Sequence, residues 1–293
     1  MATKPKEKET TISVAEIHKA RIDFWLIGMS ALVPHAMSFK AMQQLLFPSP
    51  RKNAAERATS MKHEPWEEFR DAAYQFQDHD DQPTRLYMPA AAFKGALSSA
   101  ALDMVGARKA QIGRLAKVLG EKIPVWGIPK IWCTVVRSSD PGRTPDIRTL
   151  PILPHWCARI TVQFINSLIK DQSIANLLGA SGEIVGVGDG RPQNGKLDFG
   201  TYEVTNEDNP EVQAIINHMG RKAQDEALAQ PEFYDLETER LLTWFDAERE
   251  RRHASPPIAK RRKTDGDGLD IPAPATIEAN QSRRHHGGRG ARR

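Results

Sequence analysis

An α+β fold of the ferredoxin-like kind, running strand, helix, strand, strand, helix, strand, is what this 293-residue sequence predicts. Three observations predict it. Four apolar runs rich in β-branched and aromatic residues alternate with helical patterns in that order. The helical segments fall after the first and third runs, as a split βαβ plan requires. An apolar content of 40% is enough to bury one sizeable core.

The elements follow in order. After a charged leader at 1–19, residues 20–33 (ARIDFWLIGMSALV) read as a buried strand ended by Pro34. Ser38 is placed to cap a short helix, FKAMQQLLF, that Pro48 and Pro50 stop. Residues 48–84 turn polar, with one helical piece, EPWEEFRDAAYQF, and read as a surface insertion. Residues 90–105 (AAAFKGALSSAALDMV) form a small-residue helix, in which Gly95 costs ~1 kcal/mol against Ala and so predicts a close contact. A basic piece at 107–122 follows. The runs 125–136 and 156–165 read as strands, with a Pro-rich loop carrying Arg137, Arg143 and Arg148 between them. Residues 168–178 suit an amphipathic helix capped by Ser167, and 199–204 a last strand. Residues 210–250 are helical and amphipathic and are expected to pack on the core.

Between the second helix and the last strand lies the most unusual stretch, Ser181 to Val204, with six glycines. Glycine loses the most conformational entropy on ordering, so six in one loop call for a reason. Backbone N–H groups in such a run can form an anion-binding nest, with Arg191 and Lys196 adding charge; a plain hairpin or bulge is the alternative. Two known glycine motifs are excluded. The segment GVGDGR is not G-x-G-x-x-G and leads into Pro192 rather than a helix, and Gly195-Lys196 is followed by Leu197, not Ser or Thr.

Charge is unevenly placed. Residues 251–293 hold 11 Lys+Arg and 4 Asp+Glu, a net of +7, and the whole chain's +4 less that +7 leaves −3 for residues 1–250. The tail is rich in Pro, Gly and Arg and nearly free of aromatics, a composition that predicts disorder. No stretch has the length of apolar sequence a membrane span needs and no signal peptide is evident, so a cytoplasmic protein is expected. Cys133 and Cys157 lie in apolar runs beside tryptophans, as reduced core thiols do.

The segments Met88-Pro89-Ala90-Ala91-Ala92-Phe93-Lys94-Gly95-Ala96-Leu97 and Gly186-Val187-Gly188-Asp189-Gly190-Arg191, on this order of elements, resemble the RAMP superfamily of RNA-binding CRISPR proteins. The likeness spans roughly residues 20–204 and is nearest to backbone subunits that polymerise along guide RNA. It implies binding of single-stranded RNA or DNA along a sheet face and a basic helix, with the protein repeating along the strand as a filament. Lys94 occupies the place of the family's positive helix but stands alone among alanines, and the acidic body requires any basic groove to be local. The loop also has the look of tailed-phage proteins of similar size, which would put the protein in a bacterial host's cytoplasm.

The nucleic-acid-binding residues expected are therefore Lys94, Arg137, Arg143, Arg148, Gly186, Gly188, Gly190, Arg191 and Lys196, with the arginine loop protruding and the tail adding affinity. No cofactor and no metal are expected. Asp78, His79, Asp80 and Asp81 lack the glycine and distal glutamate of a calcium loop and read as a solvated acidic turn. His35 follows the first strand, where some RAMP-fold RNases place a catalytic histidine, but no paired base accompanies it in the sequence. Trp126, Trp132 and Trp156 are assigned to core packing. Three functions stand open: a non-catalytic single-strand binder, an RNA endonuclease of the same fold, and an interaction protein that mimics a nucleoprotein subunit.

Overall fold

The computed structural model describes residues 16–47, 63–77, 81–137, 142, 144–194 and 197–254. Apart from residues 251–254, the features below belong to the unit Met1–Glu250. In chain order the elements are β1 (Lys19–Gly28), α1 (Phe39–Leu46), α2 (Pro65–Asp71), β2 (Tyr87–Pro89), α3 (Ala90–Ala100), α4 (Lys109–Leu115), β3 (Ala116–Val118) and β4 (Lys122–Trp126). There follow β5 (Lys130–Arg137), β6 (Pro145–Ile152), β7 (Cys157–Ile165), α5 (Asp171–Ala180), β8 (Tyr202–Thr205), α6 (Pro210–His218), α7 (Arg221–Ala229) and α8 (Leu236–Ala254). A π turn at Ser181–Val185 and a 3-10 turn at Pro192–Asn194 lie in the glycine-rich loop.

Alternation along β1 sets the layers. Ala20, Ile22, Phe24 and Leu26 face one side and join the main core, while Arg21, Asp23, Trp25 and Ile27 face the other. β7 pairs antiparallel with β1 from Lys19↔Ile165 to Ile27↔Cys157, and β8 pairs with its other edge. The sheet order is β2-β4-β7-β1-β8, with β3 also on β7. Taking β1, β4, β7 and β8 as strands one to four, this is the order two, three, one, four of the ferredoxin-like plan, and all its pairs are antiparallel. The α+β fold read from the sequence is the fold observed.

Helices α3 and α5 close the inner face with Phe93, Leu97, Ile174 and Leu178, all essentially without solvent contact. On the outer face α6 lays Val212 and Ile215 over Trp25, Ile27, Trp126 and Cys157. The rest of that face is polar and self-satisfied: Arg159 reaches Asp23 at 2.8 Å, Thr161 donates to the same carboxylate, and Arg21 donates to Gln163 at 3.2 Å.

Several boundaries differ from expectation, each for a visible reason. The first strand stops at Gly28, where a Cβ would fall 2.1 Å from the indole nitrogen of Trp156, and the chain beyond it makes single links instead, Met29 N–H to Thr201 C=O and the isolated Leu32↔Leu153 bridge. The run 125–136 is two strands in two sheets, divided at Gly127 (φ +142°) and Pro129. What read as a loop between Arg137 and Arg148 contains β6, which pairs with β5 as a separate two-stranded ribbon. The small-residue helix ends at Ala100, and α5 begins after Lys170, so Ser167 is not its cap. Ser38 does cap α1, accepting from Ala41 N–H at 3.1 Å.

The supposed surface insertion is partly core. Phe69, Ala72, Ala73 and Phe76 are buried, and α2 lies against β6. His63 ties the two together, its ring nitrogens 2.8 Å from Glu68 and 2.9 Å from Asp146.

Candidate nucleic-acid interface

The glycine-rich loop is built by close backbone approaches. Ser181 Oγ donates to Leu178 C=O and shares a 2.7 Å hydrogen bond with the Tyr202 hydroxyl, which starts the π turn. At Gly182 a Cβ would sit 1.9 Å from Tyr202 C=O. Further on, Gly200 (φ +68°) passes so near Val187 that a Cβ there would meet its carbonyl oxygen at 1.7 Å.

Four of the loop's N–H groups are engaged within the protein. Gly186 donates to Ser181, Val187 to Gly200 and Asp189 to Val33, at 2.8–2.9 Å, while Gly190 donates to the Asp189 side chain. Gly200 donates in turn to Ala31 C=O, which stitches the loop to the chain leaving β1. Those four amides therefore hold the loop's shape rather than forming an outward anion nest, and the site's charge comes from side chains.

Facing the loop is the small-residue side of α3. Ala91, Ala92, Gly95 and Ala96 form one wall, Gly186, Val187 and Gly188 the other, and between them runs an open groove of about 350 Å³. Gly95 makes no close contact, contrary to expectation: a Cβ there would meet nothing within 4 Å, because the residue faces the groove. Two cations stand at the mouth. Arg191 is fixed by bonds from Nη1 to Gly188 C=O (3.0 Å) and from Nε to Gln193 (3.2 Å), which leaves its other donors for an anion. Lys109, the first residue of α4, is exposed and makes no ion pair among the described residues.

On the loop's other side, His35 Nδ1 lies 2.9 Å from Asp189 Oδ2. The paired carboxylate that the sequence did not reveal is thus supplied from 154 residues away. That hydrogen bond, helped by the Gly190 N–H and by the charges of His35 and Arg148 against a desolvation cost, holds the Asp189 carboxyl below the usual aspartate value. A cavity of about 520 Å³ opens beside the pair, lined by His35, Glu68 and Arg148 and by apolar Met37, Ala41 and Leu150. Tyr74 donates to His35 C=O at 3.2 Å, so the residue is held from backbone and ring alike.

The structure brings together Gly186, Gly188 and Arg191 of the residues expected. Lys94 is half-buried on α3 and does not line the groove, and Gly190 packs against Phe199 and Leu197 instead. Arg137 and Arg148 are exposed on the β5–β6 ribbon, the first at its outer end and the second beside the His35 cavity. Arg143, Lys196, the segment Asp78 to Asp80, residues 1–15 of the leader and the tail beyond Ala254 lie outside the described residues. Lys109 was missed; its only sequence signal was membership of the basic piece 107–122.

The sheet's outer face carries no stacking platform on β1 and β4, since Trp25 and Trp126 lie under α6. Trp156 is fully buried and Trp132 packs edge-on to Phe199, as core packing requires. Both cysteines are free thiols. Among the described residues no group of three or more His, Cys, Asp or Glu side chains is arranged to hold a metal ion, and no helix is long and apolar enough to cross a membrane.

No protein-family model matches the chain, and no curated protein does. Among solved structures, the chain is similar to the crystal structure of Cmr6 from Pyrococcus furiosus, at 10% identity and a TM-score of 0.32, covering 65% of this chain and 100% of that one. It is also similar to a chain in the cryo-EM structure of the Type III-B Cmr-beta bound to cognate target RNA, at 14% identity and a TM-score of 0.33, covering 64% of this chain and 59% of that one. Likenesses of this size add no weight to an assignment of function.

Proposed function

We propose that this protein is a non-catalytic single-strand nucleic-acid binder of RAMP-like build that holds a phosphate backbone in the groove between α3 and the glycine-rich loop. The carrying observation is the groove itself. A rigid loop and a helix wall stripped to Ala and Gly admit a backbone closely, and Arg191 and Lys109 flank it in a body whose net charge is −3. Cations at one cleft of a body with net negative charge favour phosphate there. The pre-set Arg191 guanidinium suits a phosphate oxygen, since its orientation is fixed before the ligand arrives. The polar outer sheet face argues against base stacking on that side, so backbone contact dominates and discrimination among sequences is weak.

Photo-crosslinking tests the location. Single-stranded RNA carrying 4-thiouridine, irradiated with the full-length protein, is expected to label peptides within 90–99, 107–114 and 186–193. Labelling confined to the tail or to the outer sheet face contradicts the groove. The same samples run on a gel report on the His35–Asp189 pair: cleavage abolished by His35→Ala would make the protein an endonuclease instead.

A further inference from the structure

We propose that α1 is the contact of a homodimer, in which two copies pair about a two-fold axis and each lays its α1 against the other's α1 and the cavity beside it. All eight residues of α1 lack burial, although the helix is strongly amphipathic. Phe39, Met42, Leu45 and Leu46 form one stripe, flanked by Met37 and Phe47, and these six side chains are 43–80% exposed. Together they present on the order of 700 Å² of apolar surface, more than the largest patch of a typical monomer and close to the ~800 Å² that one partner contributes to a standard interface.

The chemistry of the stripe selects its occupant. Its polar residues are Gln43, Gln44 and a single cation, Lys40, whereas a helix that lies on anionic lipid carries several Lys or Arg on its polar face. Aliphatic side chains outnumber rings four to two, so the stripe is a packing surface rather than a stack of rings for bases.

Self-pairing follows from the neighbourhood. The cavity of about 520 Å³ next to α1 has Met37, Ala41, Ala72 and Leu150 as apolar wall and His35, Glu68 and Arg148 among its polar lining, so an apolar protrusion and a recess with an apolar wall share one face of the same chain. A surface that carries knob and hole side by side is complementary to its own copy under a two-fold rotation, and such a contact closes at two subunits. A head-to-tail contact would instead close into a larger ring or extend as an open filament.

Sedimentation of the full-length protein without nucleic acid, across a wide concentration range, tests the pairing independently of the groove. The weight-average mass is expected to rise and level off at twice the 32.7 kDa chain mass, and amide exchange in residues 39–46 to slow over the same range. The exposed-site variant Phe39→Glu/Leu45→Glu, with unchanged circular dichroism, is expected to stay monomeric. A wild-type protein that remains a monomer overturns the proposal. So does a dimer that the variant leaves intact, or a mass that climbs without a plateau. Two further results would assign the stripe elsewhere and also overturn it: a monomer that co-sediments with phosphatidylserine vesicles, or a monomer whose RNA affinity falls in the variant.

Discussion

His35 Nδ1 and Asp189 Oδ2 lie 2.9 Å apart, and that bond joins the chain leaving the first strand to the middle of the glycine-rich loop. Asp189 N–H also donates to Val33 C=O at 2.8 Å, so backbone and side chain fasten the loop at the same point. The groove's loop wall is thereby set by the segment that follows β1.

The pair predicts a pH dependence of known sign. Asp189 is held below the ordinary aspartate value of 3.8, chiefly by the His35 hydrogen bond, so its contribution is complete above that value and is lost as the pH falls through the lower folded-state value. Because its side chain is 41% exposed, the contribution is discounted to about 0.5–1 kcal/mol. Urea unfolding of Asp189→Ala should show that deficit against wild type near pH 6, and the two proteins should converge as the pH falls below the lowered folded-state value.

Gly182→Ala should be severe. The new methyl would meet Tyr202 C=O at 1.9 Å in a fully packed setting, and neither partner can retreat without breaking β8 from β1. A loss of ~3 kcal/mol is expected in chemical denaturation.

Gly95 should behave in the opposite way. With open space where its Cβ would be, Gly95→Ala is expected to raise stability by about 0.5–1 kcal/mol, as a helix-interior Gly to Ala change does, and to leave nucleic-acid affinity nearly unchanged. Gly95→Phe should fold with similar stability and bind more weakly, because the ring occupies the groove. Thermal melts and titrations on the same samples check both.

Burial pushes the Cys157 thiol up to about 12 and raises Cys133 as well. Thiol-disulfide reagents at about pH 8 should therefore leave the native protein almost unmodified and titrate two thiols after unfolding.

How much of this was legible in the sequence depends on the range of the interactions. The order of β1, α3, β7 and α5 could be read from apolar runs because each run is local. Capping of α1 by Ser38 was legible for the same reason, being a three-residue relationship. The end of β1 was not, since it is decided by Trp156, far along the chain, whose ring occupies the space beside Gly28. Neither was β6: a strand in a two-stranded ribbon carries Pro145, Pro151 and exposed polar residues, and its identity comes only from its partner β5. Within the site, the glycines marked the loop, but their use in backbone packing rather than anion binding depends on contacts to Ala31, Val33 and Tyr202. Lys109 became part of the site only because α4 starts beside the helix wall.

The most direct measurement is fluorescence anisotropy of labelled single-stranded RNA and DNA across several salt concentrations, comparing wild type, Lys109→Ala/Arg191→Ala and a chain ended after Ala254. If the groove holds the backbone, the double variant binds more weakly and its log–log salt slope falls by about 1.4, some 0.7 for each lost phosphate contact, while the shortened chain keeps binding. Unchanged affinity and slope in the double variant, with binding lost on removing the tail, would contradict the groove and leave the glycine-rich loop as a structural turn.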